Sequence, residues 1–406
     1  MTSKYFALYV LGGALLGFLI ANLLPNWEWL DDSTLVAKTI YLNALKMVVV
    51  PLIFFSLLSG VLNLRKSRNL SQVGGYTLIY YLGTTAIATL IGLTIVLIFN
   101  PWTDITPISI NSQTDITFIS ENDGSLKSVL LNLLNKMLIN PFAALSEYNI
   151  LGILTFAILF GLALATSLPE SSQIPALIDQ VSAAIYQLIG WVIKLLPIGI
   201  FAITFQLANS IGLGTFAALG ELAIVVFLAT LFHGLVVLPL IAWIFGGIGP
   251  GQLFTKIVQP LITALSTSSS AATLPVSMAT AKDKFKVTPE ISSVVLPLGA
   301  TVNMDGTALF EGVAAVFLAQ MFGIPLDPIT ITTIFLVAMM ASIGAPGIPS
   351  GSMAGMQLVL LSIGIPLEAI ALLLIIERPL DTFRTAVNVE GDLVGCIFVS
   401  KKAQST

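Results

Sequence analysis

Two short stretches hold most of the chemistry this chain could perform. "NMDGTALFEG", residues 303–312, carries Asn303, Asp305 and Glu311 between the apolar runs "SSVVLPLGATV" and "VAAVFLAQMF". "ERPLDTFRTAVNVEGD", residues 377–392, carries Glu377, Asp381, Arg384, Thr385, Asn388 and Asp392. At about 100° per residue, those six fall on a stripe roughly 100° wide of one helix. Leu380, Phe383, Ala386 and Val387 lie mostly off it, and Glu390 falls on the opposite face and is left unassigned. With Glu390 set aside, Asp305, Glu311, Glu377, Asp381 and Asp392 are five carboxylates facing two cations, Arg378 and Arg384. A surplus of three negative charges is tolerable if mobile cations bind, or if a substrate ammonium or a proton is taken up. Asn, Asp and Gly are poor helix-interior residues, so the helix is expected to unwind at "NMDG" and free carbonyls. Those carbonyls, with Asn303 and Asp305, suit a hard cation such as Na⁺. Arg384 is a planar fork suited to a carboxylate. A spare arginine, a spare aspartate and cation ligands together describe an acidic amino acid bound with cations.

The surroundings make these groups costly. Of 406 residues, 56% are hydrophobic and 9% charged, with a mean hydropathy of +0.97, where a soluble domain carries about 25% charged residues. The chain reads as an all-α polytopic membrane protein. In lipid a mid-depth carboxylate costs roughly 2.5–3.5 kcal/mol on insertion scales, so each acid above needs a reason. The net charge of −4, with no basic block to follow a phosphate backbone, points away from nucleic acid. The one cysteine, Cys396, excludes an internal disulfide or cysteine cluster and reads as a small buried residue. The one histidine, His233 in "FLATLFHGLVVLPLIAWIF", reads as packed or interfacial.

Long apolar runs recur at 5–24, 35–63, 76–100, 128–168, 180–208 and 216–246, each long enough to span about 30 Å of hydrocarbon. The first is expected to be a spanning helix rather than a cleaved signal. The polar stretch 101–127 reads as an aqueous loop. Arg65, Lys66 and Arg68 place the loop after the second span in the cytoplasm, with Lys282, Lys284, Lys286, Lys401, Lys402 and both termini on the same side. "TALSTSSSAATLPVSMATAK" and "MASIGAPGIPSGSMAGM" are too rich in Ser, Gly and Pro for clean lipid-facing helices. Irregular backbone at membrane depth needs protein or a cavity around it. Each reads as two half-helices meeting at a polar tip, and paired broken segments point to a transporter's binding site. A serine protease built on Ser350 or Ser352 with His233 has no base placed beside either serine, so no catalytic residues are assigned. A pure anion channel would not need Asp381.

"LKMVVVPLIFFSL", "NMDGTAL", "ASIGAPGIP" and "RTAVNVEGD", in that order between residues 5 and 402, resemble the dicarboxylate/amino acid:cation symporters, which include the glutamate transporters and their prokaryotic homologues. The resemblance implies a homotrimer whose protomers have eight transmembrane helices and two re-entrant helical hairpins. It implies a scaffold of residues 1–70 and 128–210, an extracellular loop at 106–127, and a transport domain of 71–105 and 211–402 that moves as an elevator. It implies sodium-coupled symport of glutamate or aspartate in the cell's inner (plasma) membrane, with Na⁺ co-transported, no organic cofactor and no catalytic role. A neutral amino acid or a C4-dicarboxylate is the alternative cargo.

The resemblance also implies roles for single residues. Substrate would meet Arg384 through its side-chain carboxylate, with Thr307 nearby, and Asp381 through its ammonium. Asn388, Thr385, Ile348 and the tip around Ser268 and Ser270 would hold the rest. One sodium site would use Asp392, Asn388, Asn303 and the Gly299 carbonyl. A second would use Asp305, Asn303, Tyr81, Thr84 and Thr85. A third would use carbonyls of Thr301, Ser342, Ile343 and Ala345. Glu311 stands where proton-coupled animal members carry glutamate and some prokaryotic ones glutamine, which makes it the proton-carrier candidate. Two departures stand out. Ser268 and Thr382 occupy positions where the family usually has a second basic residue, leaving Arg378 as its substitute. Ser352 stands where many members have glycine.

Overall fold

The computed structural model describes residues 6–23, 27–64, 71–99, 102, 134–135, 137–147, 149–169, 171–210, 213–343, 347, 350–366 and 369–404. Every regular element among them is helical. In chain order they are α1 (Phe6–Leu23), α2 (Glu28–Leu64), α3 (Ser71–Phe99), α4 (Pro141–Ser146), α5 (Ile150–Ser167), α6 (Ile174–Lys194), α7 (Leu196–Ser210) and α8 (Leu213–Phe232). A π-helical turn, His233–Val237, joins α8 to α9 (Leu238–Gly246). Then come α10 (Pro250–Thr267), α11 (Ser270–Asp283), α12 (Pro289–Val302), α13 (Asp305–Met321), α14 (Pro328–Ile343), α15 (Ser352–Ser362) and α16 (Ile370–Gln404). The basic residues Arg65, Lys66 and Arg68 and the polar stretch 103–127 lie outside the described residues.

Three helical stretches among the described residues are long and apolar enough to cross a membrane: Val73–Phe99, Ala217–Gly246 and Pro289–Met321. The pair α6–α7, bent by 50°, makes a fourth if taken as one span. Large apolar side chains such as Leu15, Ile79, Leu228, Trp243 and Ile244 face outward, which water would penalise and lipid does not. The apolar run 128–168 is interrupted. Asn140 Oδ1 accepts from the Phe142 N–H at 2.9 Å and starts α4, and Asn149 Oδ1 accepts from the Gly152 N–H at 3.3 Å and starts α5. Asparagine serves better as an N-cap than as an interior residue, and that preference breaks the run.

Both Ser/Gly-rich segments are broken as their composition predicts. α10 and α11 pack side by side and meet at Ser268–Ser269, with Ser268 left-handed at φ 49°. Ser269 Oγ caps α11 by accepting from the Ala272 N–H at 3.1 Å. α14 and α15 likewise pack together, and Ser350 is left-handed at φ 60° where the second segment turns into α15. The two tips touch. Ser269 Oγ donates to the Gly347 carbonyl at 2.6 Å, and the Ala271 N–H donates to the same oxygen at 3.1 Å. A side chain at Gly347 would collide with the Ala300 carbonyl at the end of α12, so only glycine permits this approach.

α16 is the axis of the C-terminal half, packing against α3, α8, α10, α11, α12 and α13. Helices α1, α2, α5, α6 and α7 pack mainly on one another. Asp179 on α6 accepts from Ser59 on α2 at 2.5 Å, and Gln206 on α7 reaches the start of α2 at Asp31 and Thr34, both at 2.9 Å.

Candidate substrate and cation site

The helix breaks where its sequence predicts. α12 ends at Val302, Asn303 (φ −90°, ψ 86°) and Met304 (φ −119°, ψ 53°) leave helical geometry, and α13 restarts at Asp305. Asp305 therefore sits in the first turn of α13, where the helix dipole favours a carboxylate. The next N–H, of Gly306, would be orphaned at a helix start, and it donates to Asn388 Oδ1 on α16 at 2.8 Å. Gly306 also lies against the Arg384 backbone too closely for any side chain. The unwound pair is thus held on α16.

Around this break the expected cation residues converge. Thr85 Oγ1 donates to Asp305 Oδ1 at 2.8 Å, and Thr84 Oγ1 to Asn303 Oδ1 at 3.3 Å. Asn303 Nδ2 donates to Asp392 Oδ1 at 3.0 Å and to the Asn388 carbonyl at 3.4 Å. Gly299 faces Asp392 and the Tyr81 hydroxyl, and that hydroxyl donates to the Val295 carbonyl at 2.8 Å. Asn303, Asp305, Thr84, Thr85, Tyr81, Asn388 and Asp392 are all buried. Thr301 and Ser342 bond within their own helices, to Leu298 at 3.0 Å and Met339 at 2.9 Å. Ile343 ends α14, and Ala345 lies outside the described residues.

The six residues of the α16 stripe are buried together, as their spacing predicts. Arg384 Nη2 lies 3.0 Å from Glu377 Oε1 and 3.4 Å from Asp381 Oδ1, while Nη1 donates to Ser352 Oγ at 3.1 Å. Its guanidinium stacks 4.1 Å above the Phe310 ring. Arg378 turns to Asp381 Oδ2 at 3.1 Å. The second broken segment closes on the same acids. The Ser350 N–H donates to Asp381 Oδ2 and its hydroxyl to Glu377 Oε2, both at 3.0 Å. Thr307 Oγ1 accepts from Asn388 Nδ2 at 3.4 Å. Thr385, Ser268 and Ser270 are buried, but the tip's contacts run through Ser269, which sequence reasoning passed over. Ile348 lies outside the described residues.

The charge count now resolves by residue. The arginines take Glu377 and Asp381, and Asp305, Asp392 and Glu311 remain. Asp392 has the Asn303 amide. Asp305 has Thr85 and His233, whose Nε2 lies 3.0 Å from Asp305 Oδ2 with both side chains fully buried. His233 is fully buried, as its reading as a packed residue expects, and its ring adds a contact to Asp305 that the reading does not foresee. Its partner is 72 residues away, and helix periodicity carries no information at that range. Glu311 is fully buried, and neither carboxyl oxygen has a hydrogen bond among the described residues. It abuts Gly355 of α15, where a side chain would collide with it.

Residues 6–402 match the sodium:dicarboxylate symporter family. Neutral amino acid transporter B(0) of Mus musculus is 33% identical over 87% of this chain and 71% of its own length. Excitatory amino acid transporter 1 of Ambystoma tigrinum is 31% identical over 95% and 80%. The proton/sodium-glutamate symport protein of Bacillus subtilis (strain 168) is 32% identical over 89% and 84%. With a match across nearly its whole length, a polar helix break held on a buried charged stripe, and apolar spans around both, this chain belongs to the sodium:dicarboxylate symporter family of membrane transporters.

Proposed function

We propose that the chain is a sodium-coupled symporter of acidic amino acids. The observation that carries this reading is the buried Arg384–Asp381 pair on α16, one turn from the Asn388–Gly306 contact that anchors the Asp305 break. Arg384 would take the side-chain carboxylate of substrate, Asp381 its ammonium, and Thr307, Thr385, Asn388, Ile348 and the tip at Ser268 and Ser270 the rest. Asp305, Asn303, Tyr81, Thr84, Thr85, Gly299, Thr301, Ser342, Ile343, Ala345, Asn388 and Asp392 would serve Na⁺ through side chains or carbonyls, and Glu311 a proton. The two broken segments would be re-entrant hairpins. Residues 71–105 and 211–402 would move as an elevator past a scaffold of 1–70 and 128–210. The protein would be a homotrimer with eight spanning helices per protomer and cytoplasmic termini in the plasma membrane. Names of relatives such as the excitatory amino acid transporter and the Bacillus glutamate symporter support this cargo.

A neutral amino acid is the second reading. Arg384 is already matched by Glu377 and Asp381, so a substrate without a side-chain charge would leave that balance undisturbed. The name of the mouse relative agrees with it. Counterflow in proteoliposomes decides between them, using labelled aspartate, glutamate, a small neutral amino acid and a C4-dicarboxylate under imposed sodium gradients. Exchange of aspartate or glutamate, and of neither other class, supports the first reading. Exchange of the neutral amino acid alone establishes the second.

A further inference from the structure

One neutral side chain shares the Arg384 guanidinium with the buried acids. A guanidinium offers five N–H groups and accepts none. Nη2 of Arg384 meets two carboxylates, Glu377 Oε1 at 3.0 Å and Asp381 Oδ1 at 3.4 Å. Nη1 donates to the Ser352 hydroxyl at 3.1 Å, and that hydroxyl donates in turn to Glu377 Oε1 at 3.3 Å. Nε makes no hydrogen bond among the described residues. Arg384, Glu377 and Ser352 are all buried, where polar contacts of this kind are strong. The hydroxyl is not spent on its own helix. Serine at a helix start commonly caps it by accepting from a backbone N–H. Ser352 is instead the first residue of α15, the cap position before it is Gly351, and the hydroxyl crosses to α16.

This arrangement treats two kinds of cargo differently. A substrate carboxylate binds a guanidinium best through two parallel N–H bonds, and the Ser352 hydroxyl already holds one of the nitrogens that could make them. A substrate with an uncharged side chain needs neither nitrogen and leaves the Ser352–Arg384 bond in place. Ser352 cannot swing aside freely, because Glu377 Oε1 accepts from it. We propose that Ser352 is a specificity-determining residue, whose hydroxyl competes with a substrate carboxylate for Nη1 of Arg384 and so lowers the affinity for acidic side chains relative to neutral ones. The proposal rests on reading Arg384 as the group that meets the substrate side chain. Ser350 supplies an internal comparison. Its hydroxyl donates to the other oxygen of the same acid, Glu377 Oε2, at 3.0 Å, from the same segment of chain, and it is Ser352 that bonds Arg384.

The test uses the full chain in proteoliposomes and compares the wild type with Ser352→Ala, Ser352→Gly, Ser350→Gly, Arg384→Cys and the double variant Ser352→Ala with Arg384→Cys. It measures how strongly L-aspartate and L-alanine each compete with counterflow of the labelled amino acid, and takes the ratio of the two half-inhibiting concentrations. Ser352→Ala should move that ratio about tenfold toward aspartate, the scale of one hydrogen bond to a charged group. Ser352→Gly removes the same hydroxyl, should give the same shift, and carries the test alone if the alanine variant fails to reach the membrane. Ser350→Gly, which suits the left-handed backbone there, should change both competitors by one factor and keep the ratio. In the Arg384→Cys background Ser352→Ala should shift nothing further. An unchanged ratio in both Ser352 variants would overturn the proposal. So would an equal shift in Ser350→Gly, since closure of the segment over Glu377 would then set the ratio. Wild-type competition by aspartate in Arg384→Cys would instead defeat the reading of Arg384, and the proposal with it.

Discussion

Arg384 is paired to Glu377, two turns back on its own helix, at 3.0 Å with both side chains almost wholly buried. Asp381 stands between them, 3.4 Å from the same guanidinium nitrogen. The fork that would receive substrate is thus held on Nη2 by an internal carboxylate, while its Nε has no partner among the described residues. Arg384→Cys should abolish high-affinity uptake of aspartate and glutamate and shift preference to small neutral amino acids, because a charge-assisted bidentate pair has no neutral equivalent. The same change leaves Glu377 buried with only the Ser350 and Ser352 hydroxyls. Removing one partner of a buried pair costs about 3–5 kcal/mol, so the variant should also melt lower. Wild-type aspartate affinity in purified Arg384→Cys would refute the assignment.

Sodium dependence should follow two carboxylates. Asp305 and Asp392 have no arginine or lysine within ion-pair distance among the described residues; Asn303 bonds Asp392 and Thr84, and the next residue of α3, Thr85, bonds Asp305. Asp305→Asn and Asp392→Asn should each raise half-saturating sodium and weaken substrate binding together, since coupled ligands share one free energy. Sodium titrations at several fixed substrate concentrations measure this. Equal uptake in choline and sodium buffers by the wild type would exclude the cation role.

Local chemistry made much of this legible. Asn, Asp and Gly at 303–306 announced the helix break, the i, i+4, i+7, i+8, i+11, i+15 spacing announced the buried stripe, and Ser/Gly/Pro richness announced both broken segments. Each is a property of residues within a few turns of one another. What stayed hidden needed tertiary proximity. His233 reaches Asp305 only because α8 crosses α13, and nothing in "LFHGLV" marks that crossing. Ser352 joins Arg384 to Glu377 only once α15 folds over α16. The interruption of 128–168 is carried by its asparagines, Asn140 and Asn149, acting as caps.

Gly299 offers a sharper probe of the cation end. A Cβ there would fall well inside contact distance of both Asp392 Oδ1 and the Tyr81 hydroxyl, and overpacking of this kind costs about 1–3 kcal/mol. Gly299→Ala should therefore raise half-saturating sodium while leaving the α16 substrate stripe intact. The double variant Gly299→Ala with Tyr81→Phe removes one of the two clashing atoms and should recover part of the affinity. Sodium titration of the single and double variants checks this. If the alanine is silent, Asp392 and Tyr81 are looser than the geometry indicates, and Gly299 does not bound a cation site.

Glu311 is a buried acid whose carboxyl oxygens make no hydrogen bond among the described residues, and the Arg384 charge lies close enough to act on it. One bland account makes it a permanently protonated group donating a structural hydrogen bond, but no described acceptor receives one. Its carboxyl instead abuts Gly355 on α15, the helix whose start carries the hydroxyl of Ser352 to Arg384. A charge on Glu311 would therefore act on the same segment that closes over the substrate acids. Glu311 should therefore carry a proton together with the substrate. Uptake measured with a fixed sodium gradient and a varied pH gradient tests this in the wild type and in Glu311→Gln. Wild-type uptake should rise when the side from which substrate enters is made more acidic, and Glu311→Gln, which stays neutral at every pH, should lose that response while keeping its sodium dependence. Wild-type uptake that ignores the pH gradient would remove the proton from the mechanism and leave Glu311 as a packing residue beneath α15.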